Sequence, residues 1–170
     1  MMTLMSSVVP SFNVNSQPIN DASTLVRPAN LRGLPPDRTL VLVNGKRRHR
    51  SAVITFLGSG LSDGSQGPDI SVIPSIALKQ VEILRDGAAA QYGSDAIAGV
   101  INFRLKDADE GGAVEIKTGQ HYEGDGDLRQ ISANIGLPFT DNGFANFSTE
   151  FKQSDPTSRS VQRGDAGGLA

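Results

Sequence analysis

The stretch IPSIALKQVEILRDGAAAQYGSDAIAGVINFRLK, residues 73–106, constrains this chain most, because its hydrophobic period changes repeatedly within a short span. Pro74 disfavours helix at the residue before it and suits the first turn of a short helix over residues 75–78. From Lys79 the period is two, so Val81 and Ile83 share one face while Gln80, Glu82 and Leu84 share the other. Asp86-Gly87 ends that strand, with Gly87 expected at the positive φ of a tight turn. Residues 88–91 read as one helical turn capped by Gly93. Ser94 or Asp95 is placed to N-cap a second turn over residues 96–98, stopped by Gly99. Val100, Ile101, Phe103 and Leu105 then read as a second strand. The unit is strand, two glycine-punctuated turns, strand.

Upstream, TLVLV at residues 39–43 is a continuous apolar strand, and Asn44-Gly45 is a strong hairpin signal. Residues 1–30 are mixed and polar, with prolines at positions 10, 18 and 28. Phe12 and Val14 suit a short strand, and residues 20–23 the start of a brief helix carrying Leu25 and Val26. The opening segment lacks a basic start and a sustained apolar core, so it does not read as a signal peptide. No apolar run approaches the roughly 18–20 residues of a membrane helix. Residues 51–69 hold several glycines and serines and read as a loop.

Chemistry is harder to find. The chain has 170 residues, enough for one domain core with an appendage, and a net charge of -2 that gives no pull toward nucleic acid. Its 19 glycines and 5% aromatics point to turns and short strands rather than long helices. Without cysteine, disulfides and thiolate metal sites are excluded. The run KRRHR at residues 46–50 lacks interleaved aromatics for base stacking, so it reads as a solvated arm. His49 has no second ligand at metal spacing, and neither a metal nor a cofactor is expected. A phosphate cradle would need a lysine and then serine or threonine directly after its second glycine. A nucleophile would need a base within hydrogen-bond reach. Neither is found, and the chain is not expected to be an enzyme. A hydrolase using Glu82, Asp86 or Asp95 would require a strongly perturbed carboxyl in a closed pocket.

After Lys106 the pattern changes. DADEGG at residues 107–112 reads as an acidic, flexible joint. Strict alternation follows: Val114, Ile116 and Thr118 oppose Glu115, Lys117 and Gly119. Ile131, Ala133, Ile135 and Leu137 oppose Ser132, Asn134 and Gly136. Ala145, Phe147, Thr149 and Phe151 oppose Asn146, Ser148, Glu150 and Lys152. Each segment has about ten residues, the length at which a tilted strand crosses an outer membrane. A soluble antiparallel sheet with one wet face would alternate in the same way.

The pieces VEILRDG, AAAQYG, SDAIAG and VINF, in that order and spacing, closely resemble the end of the plug domain of TonB-dependent outer-membrane receptors. The Asn44-Gly45 block resembles the family's V-L-[VI]-[ND]-G, and LRGL at residues 31–34 its earlier arginine-glycine segment. The commonest family form has arginine-glycine where this chain has Arg85-Asp86-Gly87. The resemblance implies an α+β fold: a small mixed-sheet plug with short helices over residues 1–106, N-terminally incomplete, and the joint at 107–112. Residues 113–170 would be about the first three antiparallel strands of a large transmembrane β-barrel. Since the large transporters have about 22 strands, these cannot close alone, and the chain is expected to be a fragment of a longer receptor.

The implied function is binding of an extracellular nutrient and energised uptake into the periplasm, in the outer membrane of a Gram-negative bacterium. The implied partners are TonB, through an N-terminal segment not visible here, a small-molecule or oligosaccharide substrate, and outer-membrane lipid. Arg32 and Arg85 match positions where family plugs carry arginines that pair with carboxylates of the inner barrel wall, with Glu82 a member of that network. His49, Arg50, Phe56, Ser59 and Asp63 fall where the plug reaches toward substrate. Gly33, Gly45, Gly87, Gly93 and Gly99 are expected to be structural. The alternative is a soluble periplasmic plug-like module that binds or signals without transporting.

Overall fold

In the computed structural model of the chain, residues 2–14, 25–55, 62–140 and 143–157 are described. Strands β1 (Phe12–Val14) and β2 (Ala29–Leu31) pair antiparallel, with Phe12 opposite Leu31. Strands β3 (Thr39–Val43), β4 (Lys46–Arg47), β5 (Leu78–Leu84) and β6 (Gly99–Leu105) form one mixed sheet in the order β4-β3-β6-β5. Here β3 runs parallel to β6, while β5 is antiparallel to it.

Both faces of this sheet are covered, which is why β3 reads as an unbroken apolar run. On one face Val41, Ile101 and Phe103 pack with Met5, Phe12, Ala29, Leu31 and Ile70, flanked by Val81 and Ile83. On the other, Leu40, Leu42 and Val100 pack with Ala88, Ala96 and Tyr92. Met5 belongs to helix α1 (Met2–Val8), an element the sequence did not announce.

The hairpin forms at Asn44-Gly45 with both residues at positive φ, 50° and 77°, as a two-residue turn between twisted strands requires. The expected strand, turn, turn, strand unit is also present, with shifts. A 3-10 turn covers Ser75–Ala77, and helix α2 covers Ala89–Tyr92 with Gly93 as C-cap. The second turn lies at Ser94–Ala96 rather than 96–98, and no side chain caps it. Asp95 is inside this turn, its carboxylate held by Arg47 and Arg50, so it does not serve as the cap.

Gly87 is not at positive φ. What its missing side chain allows is an approach to Ile97, whose carbonyl oxygen would lie 3.2 Å from a Cβ. Residues 20–23 lie outside the described residues. Leu25 and Val26 are in irregular backbone, not helix. Pro28 disfavours helix at Arg27 and makes an extended bridge to Asp69.

Strands β7 (Gly112–Gly119), β8 (Leu128–Thr140) and β9 (Gly143–Ser154) form a separate antiparallel sheet. Its register places Val114 opposite Ala133, Ile116 opposite Ile131, and Ile135 opposite Phe147. The expected alternation is therefore continuous across all three strands.

Candidate gating and substrate-facing sites

The polarity of the β7-β8-β9 sheet is the reverse of a soluble sheet. Gln130, Ser132, Asn134 and Gly136 are buried, whereas Ile131, Ile135, Leu137, Phe147 and Phe151 are exposed. The polar side faces the first sheet and is laced together. Gln130 Nε2 donates to Glu150 Oε2 at 3.1 Å and to Ser132 Oγ at 3.2 Å. Asn134 Nδ2 donates to Asn146 Oδ1 at 2.6 Å and Ser148 Oγ at 2.8 Å. Burying these groups unpaired would cost on the order of 1–3 kcal/mol each, so the network is what makes a polar inner face tolerable. Between the two sheets lie cavities of about 310 Å³, where Asn146 and Ser148 meet Arg48, Ile73 and Lys106, and about 530 Å³, where Glu115 and Lys117 face β5 and α1.

No ion pair or hydrogen bond joins the side chains of Arg32, Glu82 and Arg85 to one another among the described residues. Arg32 sits with Gly33 in a tight turn, both at positive φ (59° and 69°), closed by the Leu34 N–H donating to the Leu31 carbonyl at 3.1 Å. Arg85 follows β5. Both guanidinium groups are exposed, and neither has an ion-pair partner among the described residues. Glu82 is engaged within its own sheet: Asn102 Nδ2 donates to its Oε2 at 2.8 Å, Gln80 Nε2 to its Oε1 at 3.0 Å, and Arg104 Nη1 stands 3.8 Å away.

Asn102 is the residue that sequence reasoning passed over. Its Oδ1 also accepts the Gly45 N–H at 2.9 Å, tying the hairpin to β6, while Asn44 Oδ1 accepts the Leu105 N–H at 2.8 Å. The asparagine in VINF was visible as a polar interruption of an apolar strand, and that was the available signal.

The basic arm is clasped to the second turn. Arg47 Nη1 donates to Asp95 Oδ2 at 2.6 Å and Arg50 Nη2 to Oδ1 at 3.3 Å, while Arg47 also reaches the Tyr92 carbonyl. Arg47, Arg50 and Asp95 line a cavity of about 290 Å³ with Pro36, Asp37, Arg48 and the exposed His49. Within it, Arg48 Nε and Asp37 Oδ1 are buried without a hydrogen-bond partner. The loop beyond is laced by its own arms. Thr55 N–H donates to Ser65 O at 3.0 Å, Gly64 N–H to Thr55 O at 2.7 Å, and Ser51 Oγ to Gly67 O at 2.9 Å. Asp63 is exposed on this loop. Phe56 and Ser59 lie outside the described residues.

Between the sheets, the Lys79 ammonium hydrogen-bonds Asp107 and holds its carboxyl below the ordinary carboxylate value. Among the described residues no cluster of metal-ligating side chains occurs.

Comparison with known proteins agrees with this architecture. The family model for the "TonB-dependent Receptor Plug Domain" matches residues 1–100. The "Probable TonB-dependent siderophore receptor PirA" of Acinetobacter baumannii is 33% identical over 115 residues, covering 66% of this chain and 15% of that protein. The "Ferric enterobactin receptor" of Pseudomonas aeruginosa is 29% identical over 119 residues, 68% of this chain and 16% of that protein. The "Vitamin B12 transporter BtuB" of Vibrio vulnificus is 33% identical over 96 residues, 56% of this chain and 13% of that protein. The chain thus spans about 15% of the length of the curated relatives it matches.

Among solved structures, a mutant of the ferric enterobactin receptor PfeA from Pseudomonas aeruginosa superposes with a TM-score of 0.62 at 23% identity, covering 89% of this chain and 22% of that one. The same receptor in complex with BCV-L6 gives 0.63 at 21% identity, covering 95% and 24%. These likenesses concern the fold: a plug followed by the first strands of a barrel wall.

Proposed function

Because the chain belongs to the TonB-dependent receptor plug domain family, we propose that it supplies the gating plug and first wall strands of an outer-membrane receptor for energised nutrient uptake. We assign the plug to residues 1–106, the joint to 107–112 and the wall to residues from 113 onward. The observation that carries the reading is the reversed polarity of β7-β8-β9, with apolar side chains exposed and a hydrogen-bonded polar face turned toward the plug. A soluble sheet would bury its apolar side, whereas a barrel wall around a polar lumen must do the opposite.

The proposed substrate class is supported by the relatives, whose names specify siderophores, ferric enterobactin and vitamin B12. The nutrient is a chelated metal complex, bound at the outer face and passed to the periplasm once TonB, acting on a segment N-terminal to the plug, loosens it. His49, Arg50, Phe56, Ser59 and Asp63 are the plug residues assigned to the substrate side. The clasp of Arg47 and Arg50 on Asp95 gives that side a fixed basic surface. Arg32 and Arg85 are assigned to the latch against wall carboxylates, supported by two exposed guanidinium groups with no ion-pair partner among the described residues. No chemistry is done on the substrate, and the protein acts as a receptor and not an enzyme.

An antibody against the 46–50 arm, applied to fractionated cells, tests the reading. A product several times longer than 170 residues in the outer-membrane fraction is expected. A soluble periplasmic product of 17.9 kDa would replace transport with the stand-alone binding module. For the latch, Arg85→Ala should raise plug mobility and lower uptake, and unchanged values of both would remove Arg85 from that role.

A further inference from the structure

Residues 106–111 connect β6 to β7, and they are held from both sides. On the plug side, the Lys106 N–H donates to the Ala77 carbonyl at 2.9 Å, and Lys79 Nζ donates to both oxygens of Asp107 at 2.8 Å. Lys79 reaches this carboxylate because of a bulge. Leu78 pairs with Leu105 and Gln80 with Arg104, which leaves Lys79 as the extra residue. A bulge of this kind bends the strand and re-aims the side chain it carries.

On the wall side, Asn146 Nδ2 donates to the Ala108 carbonyl at 3.2 Å, and the Gly136 N–H donates to the Gly111 carbonyl at 2.9 Å. Gly136 also lets the connecting backbone lie flat on the wall. A Cβ there would stand 2.3 Å from Ala108 O and 2.9 Å from Ala108 C, both backbone atoms.

We propose that Lys79, Asp107, Gly136 and Asn146 make this connection a fixed pivot: when the plug loosens, residues 106–111 stay clamped to β5 and to the inner wall. The inference rests on the uptake reading above. An exposed ion pair supplies little holding energy by itself. Lys79 and Asp107 act as positioning residues that set where the connection lies, while the backbone bonds and the close approach at Gly136 hold it there. The movable part of the plug is then its opposite end, with α2 and the laced loop.

In the receptor that carries this chain, Lys79→Cys and Asp107→Cys would be joined by a reducible bis-methanethiosulfonate linker, and uptake of ferric enterobactin followed before and after reduction. The linked receptor should retain uptake within about twofold, since a clamp that never opens is not disturbed by a covalent tie. Loss of uptake on linking, restored by reductant, would overturn the pivot. Should the unlinked receptor fail to move this probe, the uptake reading or its substrate class has failed instead, and amide hydrogen exchange decides the clamp independently. Gly136→Ala should raise exchange over residues 106–111 by about tenfold without changing β9, whereas Asp107→Asn should raise it by about twofold, a rise that the charge swap K79D/D107K should reverse. Unaltered exchange in Gly136→Ala overturns the clamp.

Discussion

A Cβ placed on Gly99 would stand 2.3 Å from the carbonyl oxygen of Leu84 and 2.9 Å from Leu31 Cδ1. Gly99 opens β6 at φ +143°, a conformation that L side chains rarely adopt, between the end of β5 and the β1-β2 layer. Gly99→Ala must therefore strain the backbone and push apart a ladder at the same time. The expected cost is roughly 2–5 kcal/mol, read as a lower urea midpoint with an unchanged slope. A stability unchanged within error would mean that the β5-β6 register relaxes more easily than this packing implies.

Asn102 joins elements distant in sequence, with the Gly45 N–H on its Oδ1 and Glu82 on its Nδ2. Asn102→Leu should cost about 1 kcal/mol, because it removes one hydrogen bond from the exposed hairpin amide and one from the Glu82 carboxylate, which keeps Gln80. Asn102→Asp should also destabilise, since it sets two carboxylates against each other across the β5-β6 pair. A pH series separates the two variants: the aspartate form regains stability as the carboxylates protonate, and the leucine form does not.

The parts of the molecule that were legible in its sequence are those set by period and turn chemistry. Thr39–Val43, the Asn44-Gly45 hairpin and the alternation of Ile131, Ala133, Ile135 and Leu137 each follow from side-chain direction along the chain. What was not legible depends on where remote segments meet. The Lys79 bulge breaks no pattern of hydrophobicity, and Gly136 looks like any polar-face position until Ala108 is seen against it. Helix α1 escaped because it is only seven residues long, too short to show a period, although Met5 is buried in the core and Met2 packs against it. Likewise the partners of Glu82 lie on β6 and on its own strand, so the order of residues around Arg85 gave no sign of them.

Asp107 provides a pH test. Its carboxyl is held below the ordinary value chiefly by the hydrogen bond from Lys79. A carboxyl depressed in the folded state stabilises the fold above its unfolded value and loses that contribution as pH falls through the folded one. The affected window therefore lies below the ordinary value of 3.8. Carboxyl-carbon NMR titration should find the Asp107 midpoint below that value, and Lys79→Met should raise it. A midpoint insensitive to Lys79→Met would mean that the ion pair is not formed in solution.

The reversed polarity of the wall yields the most discriminating substitution. Ile135 is 47% exposed on the face that also carries Leu137 and Phe147, while its neighbours Asn134 and Gly136 are buried. In water, Ile135→Arg on a half-exposed strand position would be close to neutral, within about 0.5 kcal/mol. Facing lipid near the middle of the bilayer, the same change should cost about 2–4 kcal/mol, because the guanidinium must leave hydrocarbon or drag water into it. Folding into phospholipid vesicles, followed by heat-modifiable gel mobility, distinguishes the two. The receptor carrying Ile135→Arg should insert poorly, whereas Lys152→Arg, on the lumen side of β9, should insert like the parent. Equal insertion of both would place the β7-β8-β9 sheet in water and remove the membrane from the account.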